Sequence, residues 1–408
     1  MNAHNIIEDT ARDAYGRLIS YLTLKWRSIE SVEDALSDAF VAALESWPKA
    51  GIPDKPESWL LAVARRRLID RARRERVSER AMSALIALSE QSEQKSSAGT
   101  AFPDERLNML FLCTHPAIDP SIRTPLMLQT VLGMDASRIA SAFVVKPSTM
   151  GQRLTRAKAK IRTERLTFAM PDAEELPHRL DAVLEAIYAV YGSGWDDYTG
   201  VDPRRKGLVH EAIYLGKLLA NYLPGEPEVQ GLLALMLHCE ARREARIDAS
   251  GSYIPLSEQD TSRWSTQMIK EAEHCLRAAS HSNRIGRFQL LAAIQSMHAQ
   301  RARTGSIEWK GIALLYEGLA KLSPTIGVLV GRAAAVAEGY GMERGFALLE
   351  AMPCDKIMNY QPYWALKAYL HMQLGRQEEA RSAYSRAIGL CEDPSIRQFL
   401  YQQANRIT

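Results

Sequence analysis

Between Asp135 and Arg165 the chain reads DASRIASAFVVKPSTMGQRLTRAKAKIRTER, a pattern that few folds accommodate. Asp135 can cap a helix by accepting from free backbone N–H groups, and Ile139, Ala140 and Phe143 follow at helical spacing. Lys146-Pro147-Ser148-Thr149 starts a second helix, because proline at a first helical position gives up no needed hydrogen bond. Met150, Leu154, Ala157 and Ile161 give that helix an apolar stripe. Its other faces carry Gln152, Arg153, Arg156, Lys158, Lys160, Arg162 and Arg165. Eight Lys/Arg stand against Asp135 and Glu164 over this stretch, a local charge of +6. A short helix, a tight turn and a longer basic helix make a helix-turn-helix, whose second helix can enter a DNA major groove. An ordinary helical hairpin with a solvated basic face satisfies the same spacing.

A second basic stretch upstream weighs against the plain hairpin. In ESWLLAVARRRLIDRARRERVSER, Trp59, Leu60, Val63, Leu68 and Ile69 mark a buried side. Arg65, Arg66, Arg67, Arg71, Arg73, Arg74, Arg76 and Arg80 crowd the rest, eight arginines in sixteen residues. Arginine donates in a fork that suits phosphate, and its plane stacks on exposed bases. The charge is uneven along the chain: residues 1–166 hold 25 Lys/Arg against 20 Asp/Glu, a net +5, while the remainder, 26 against 28, is −2. An anionic partner is therefore expected at the front of the chain.

Ahead of this stretch, Asp9 to Arg27 suits a helix. SVEDALSDAFVAALESW predicts another from Ser31, capped by Ser31 with Asp34 three residues on. In it Leu36, Phe40, Val41 and Leu44 are expected inside, with Glu33, Asp34, Ser37, Asp38 and Glu45 outside. That acidic face is either solvated surface or a docking surface for a basic helix. Pro48 to Pro56 reads as a loop and 81–103 as a flexible polar linker. A helical segment resumes at Asp104, and Pro171 to Pro177 marks a further boundary. From Arg179 onward helical patterns succeed one another without a strand, so the fold class is all-α. The last pair, PYWALKAYLHMQLGRQEEARSAYSRAIGL, sets small residues around a Leu-Gly turn, as two closely packed antiparallel helices require. It resembles a tetratricopeptide repeat, whose arrays bind peptides or neighbouring domains.

Other chemistries find little footing. Cys113, Cys239, Cys275, Cys354 and Cys391 lack paired metal spacing, and His238-Cys239 and His274-Cys275 are adjacent rather than on one face. No metal or cofactor is expected, and free thiols suit a reducing cytoplasm. No apolar run approaches a membrane span, and the first residues are not signal-like. No P-loop, activated nucleophile or carboxylate cluster suggests an enzyme.

In order along the chain, these pieces resemble sigma factors of bacterial RNA polymerase, of the extracytoplasmic-function group that keeps only regions 2 and 4. SVEDALSDAFVAALESWP is similar to region 2.2, PESWLLAVARRRLIDRARRE to regions 2.3 and 2.4, and DASRIASAFVVKPSTMGQRLTRAKAKIR to region 4.2. DERLNMLFLCTHPAI, LPGEPEVQGLLALMLHCEARREAR and the terminal LGRQEEARSAYSRAIGL resemble a subgroup with a tetratricopeptide-like carboxy-terminal extension. The resemblance implies region 2 over 1–80, the linker, region 4 over 104–170 and a helical regulatory domain over 171–408. It implies that Asp34, Leu36, Asp38 and Phe40 dock core RNA polymerase, whose clamp and flap are the expected contacts. Trp59, Arg65, Arg66, Arg67, Arg73 and Arg74 would melt and hold the −10 element. Ser148, Thr149, Gln152, Arg153, Arg156, Lys158 and Lys160 would read the −35 element. A regulatory protein or peptide is expected at the carboxy-terminal domain. Arg66 departs from the family, which usually has asparagine there. A helix-turn-helix regulator with a helical ligand-binding domain is the alternative; the basic 61–80 stretch behind an acidic helix separates the two, since a simple repressor needs neither.

Overall fold

A computed structural model describes residues 3–74, 102–143, 145–172, 174–195, 207–248, 251–353 and 357–407. Of the linker expected at 81–103, only 102 and 103 fall within that range. Contacts divide the chain into two compact units, Met1–Val190 and Tyr191–Thr408. Both are built from helices, and the described residues hold no β-strand beyond one isolated bridge, Ile247 to Tyr253.

The first unit opens with α1 (Ala3–Trp26), α2 (Ile29–Ala50) and α3 (Pro56–Arg74), which pack on one another. Leu18, Ile19, Leu22, Val32, Leu36, Leu60 and Leu68 fill the space between them. The cap of α2 is Ser28 rather than Ser31: Ser28 sits in extended backbone and its Oγ accepts from the Ser31 N–H at 3.3 Å. The α2 helix also runs through Pro48 to Ala50, so the loop expected from Pro48 begins at Gly51. In a last turn, proline forfeits a single backbone bond, and the Gly51 N–H still reaches the Trp47 carbonyl at 3.1 Å. Val41 and Leu44, expected inside, are 51% and 41% exposed; Ala39, Ala43 and Trp47 take the inner stripe instead.

The rest of this unit holds α4 (Arg106–Cys113), α5 (Pro120–Leu132), α6 (Ala136–Ala142) and α7 (Pro147–Thr163). Asp119 caps α5 by accepting from the Ser121 N–H at 2.8 Å, and Gly133, at φ 66°, ends it in the left-handed conformation that glycine adopts without strain. Asp135 then accepts from the Ser137 and Arg138 N–H groups, each at 2.9 Å, which starts α6 as its sequence predicts. The bundle of α4 to α7 leans on α1 through α5. Gly16 allows the approach: a Cβ there would stand 2.1 Å from the Val131 carbonyl oxygen. The start of α8 (Leu176–Trp195) is fastened here too, Arg179 donating to the Phe111 carbonyl at 2.5 Å.

The second unit strings α9 (Leu208–Tyr222), α10 (Pro227–Glu240), α11 (Thr266–Ser280), α12 (Arg287–Ala299), α13 (Trp309–Leu322), α14 (Ile326–Tyr340), α15 (Met342–Glu350), α16 (Gln361–Gln373), α17 (Gln377–Gly389) and α18 (Pro394–Asn405). Helices pack chiefly on their neighbours in sequence, around several small cores. Leu319 and Ala335 belong to one core, Leu349 and Tyr363 to the next, Ala380 and Leu400 to the last. The α16–α17 pair turns at Gly375 (φ 72°), as its Leu-Gly sequence predicts. The most enclosed helix is α10, and Glu228 at its start reaches the foot of α12. That carboxylate accepts from the Phe288 and Gln289 N–H groups, both at 3.0 Å, where Gly286 offers no side-chain cap.

Candidate nucleic-acid and polymerase interface

Helix α7 sorts its residues onto two sides. Met150, Leu154, Ala157 and Ile161 are buried against the bundle, as their spacing requires. Ser148, Gln152, Arg156 and Lys160 form one exposed stripe at four-residue intervals, with exposed Arg153 beside it and Thr149 half-buried. A Cβ on Gly151 would meet nothing within 4 Å, so the backbone is open to close approach at that point. Lys160 leans on Glu164 at 3.7 Å, an exposed pair of little energetic weight.

Lys158 was expected on the outer stripe and is buried instead. It stands four residues after Leu154 and next to Ala157, hence on the apolar side, where its Nζ reaches the two Glu33 carboxylate oxygens at 2.6 and 2.5 Å. One turn on, Arg162 donates to Glu30 of α2. Burial pushes the Glu33 pKa up and Lys158 pulls it back, with Asp34 and Glu30 adding to the rise; the net direction is upward. The Tyr15 hydroxyl is buried and its pKa is likewise raised, by burial and then by Glu33.

The arginine-rich helix divides in the same way. Arg66, Arg67 and Arg73 are exposed on α3; the side chain of Arg74, the helix's last residue, lies outside the described set, as do Arg76 and Arg80. Arg65, expected on phosphate, is buried instead, because it follows Leu61 by four and precedes Leu68 by three on the inner stripe. It donates to the Tyr21 hydroxyl at 2.8 Å. Trp59 is half-buried and packs edge-on against Trp47, ring centroids 5.5 Å apart.

On α2, Asp34 and Asp38 are exposed. Arg71 donates to Asp34 at 2.7 Å and Arg67 lies 4.0 Å from Asp38. Phe40 is half-buried, and Leu36, expected to help dock a partner, is fully buried in the stripe of Val32, Ala39 and Ala43. The apolar groups that α2 shows to solvent are Val41 and Leu44, which the sequence pattern placed inside. Their three-residue spacing reads equally well as an inner stripe, so only packing separates the two sides.

Among the described residues, no group of three His, Cys, Asp or Glu side chains clusters as a metal site would. None of the described helices is long and apolar enough to cross a membrane.

The sigma-70 region 2 family matches residues 7–77, which cover α1 to α3. Residues 179–280 match a family of unknown function, DUF6596. An uncharacterized protein of Rhizobium meliloti (strain 1021) is 36% identical over 399 residues, spanning 97% of this chain and 93% of its own length. No solved structure gives a significant match. The chain shares a family with that protein along nearly its whole length, and its residues 7–77 are a sigma-70 region 2 domain, which supports a sigma-70 family role in transcription initiation and implies binding of core RNA polymerase and promoter DNA.

Proposed function

We propose that the chain is a sigma factor of the extracytoplasmic-function type, with α4 to α7 serving as region 4, α6 and α7 as its helix-turn-helix, and the second unit as a tetratricopeptide-like regulatory extension. The observation that carries this reading is the exposed stripe of Ser148, Gln152, Arg153 and Arg156 at the amino-terminal half of α7, in a chain whose α1 to α3 match sigma region 2. Gln152 and Arg153 suit adenine and guanine edges in the −35 element, while Ser148, Thr149 and the free N–H groups at the start of α7 suit phosphate. Arg66, Arg67 and Arg73 hold phosphates of the opened −10 strand. Trp59 supports the loop at Gly51 from behind rather than stacking on a base. Asp34 and Asp38, with exposed Val41 and Leu44, form the surface for the polymerase clamp. The second unit's serial helices supply a surface for a regulatory protein or peptide.

The test is transcription in vitro with the full chain and purified core polymerase on a promoter library. Initiation confined to a defined promoter class is expected. Arg153→Ala should cost about 1–3 kcal/mol and relax preference at one −35 position. Uniform weakening on every promoter would make Arg153 a phosphate clamp. Sequence-specific binding with no initiation from any template would favour a helix-turn-helix regulator.

A further inference from the structure

Helices α1 and α7 both end at one cavity of about 620 Å³ in the first unit, within the size range of small-molecule sites. Leu24, Leu112, Ile161 and Phe168 give it an apolar lining. Around that lining stand three arginines, Arg27, Arg162 and Arg165. Arg162 is paired with Glu30. Arg27 and Arg165 are exposed, and their side chains have no hydrogen-bond or ion-pair partner among the described residues. The carbonyl ends of the two helices bring partial negative charge, which three guanidinium groups outweigh.

Three features of its wall each cost the unliganded fold. Arg27 and Arg165 lie at φ 52° and 50°, the left-handed conformation in which a helix ordinarily ends on glycine. Among the described residues the one other non-glycine residue at positive φ is Asn283, whose short amide side chain tolerates it. The third feature is Thr23, whose Oγ1 is buried and meets no hydrogen-bond partner. A helical hydroxyl ordinarily turns back to the carbonyl four residues earlier, as Ser20 does to Gly16 at 2.7 Å. Strain of this kind gathers at functional sites, and here it converges on a single cavity.

We propose that this cavity binds a phosphorylated compound of nucleotide size. Arg27 and Arg165 hold its phosphates, and Arg162 adds charge at the rim. Its apolar or aromatic body lies on Phe168 and the leucines and hydrogen-bonds to Thr23. Arginine suits that class because its planar fork meets two phosphate oxygens at once. The half-buried Phe168 ring offers a stacking face for a planar base. A purely ionic ligand would leave the apolar lining unused, and a purely apolar one would meet three guanidinium groups it cannot pair. The site is separate from the exposed α7 stripe of Ser148, Gln152 and Arg156 and does not depend on the role of that stripe.

Calorimetric titration of the full-length protein with ATP, GTP and inorganic tripolyphosphate tests the site, at about 0.15 M salt, where long-range attraction is screened. Saturable binding of a nucleotide is expected, about tenfold or more tighter than tripolyphosphate, because only the nucleotide uses the apolar lining. Arg27→Gly with Arg165→Gly should weaken that binding by about tenfold or more. The same pair of changes relieves both left-handed positions, so the melting temperature should hold or rise, which separates a lost site from a lost fold. Thr23→Val should also weaken nucleotide binding while the melting temperature holds or rises, since it removes an unpaired buried hydroxyl. Removing equal charge elsewhere, by Arg303→Ala with Arg344→Ala at exposed positions of the second unit, should leave the affinity unchanged. No saturable binding of either nucleotide, equal affinity for tripolyphosphate, or unchanged affinity in the Arg27 and Arg165 double variant overturns the site.

Discussion

Taking the protein from pH 7 to pH 4 will destabilise residues 191–408 steeply, with the loss falling between about pH 6.5 and pH 4. His238 on α10 and His298 on α12 are each held neutral by the fold, their pKa values lowered from 6.5 to about 4. Burial is the first cause for both, and Arg242 beside them adds to it, joined by Arg301 at His298. Glu273 lies 3.4 Å from His238 Nε2 and would favour its charge, but that carboxylate already accepts from Ser296 Oγ at 2.5 Å, and burial prevails. In the unfolded chain both rings charge near pH 6.5; in the fold they resist until about 4. Their contribution is therefore complete above pH 6.5 and is lost as the pH falls through that window. A shift of this size is worth on the order of 3 kcal/mol for buried His238, and less for half-buried His298. Against a total stability of about 5–15 kcal/mol, that is a large fraction. Urea midpoints followed by circular dichroism at pH 7.5, 6, 5 and 4 check it. The double substitution His238→Gln, His298→Gln should flatten the profile across that window; an equally steep profile in that variant would move the cause elsewhere.

Gly16→Ala will part the two halves of the amino-terminal unit while strengthening the helix that carries it. Alanine in mid-helix gains about 0.5–1 kcal/mol over glycine. Against this, its methyl would stand 2.1 Å from the Val131 carbonyl oxygen, an atom fixed in the α5 backbone that cannot swing aside. Overpacking of this kind costs typically about 1–3 kcal/mol, so the docking of α5 on α1 should weaken by more than α1 gains. The opposing signs separate the two effects. Far-UV helicity should hold or rise, while the distance between α1 and α5 measured by paired spin labels should broaden. A narrow, unchanged distance distribution would show that α5 shifts to accommodate the methyl.

The helix-turn-helix was legible because its punctuation is chemical: Asp135, Pro147 and Gly133 each act within a few residues of themselves. The exposed stripe of Ser148, Gln152 and Arg156 followed from the same periodicity. Lys158 and Arg65 escaped that logic although their spacing held the clue, since both sit on apolar stripes, four residues beyond Leu154 and Leu61. A long charged side chain among leucines reads as surface until a partner far along the chain, Glu33 or Tyr21, turns it inward. No local pattern announces a partner 125 residues away. Val41 and Leu44 erred the other way, because a broad apolar helix face has no single periodic solution and Ala39, Ala43 and Trp47 pack closer. In the second unit the Leu-Gly turn was plain, while the division into serial cores depended on which helices meet.

Helical arrays of nearest-neighbour contacts can unzip a segment at a time from either end. The Glu228 carboxylate works against that here, because it closes the first backbone donors of a helix 60 residues downstream. That bond ties the start of α12 to α10, and α10 packs against both α11 and α12. Residues 227–299 should therefore melt and refold as one cooperative block, and amides in all three helices should exchange with solvent through a shared opening event rather than in sequence.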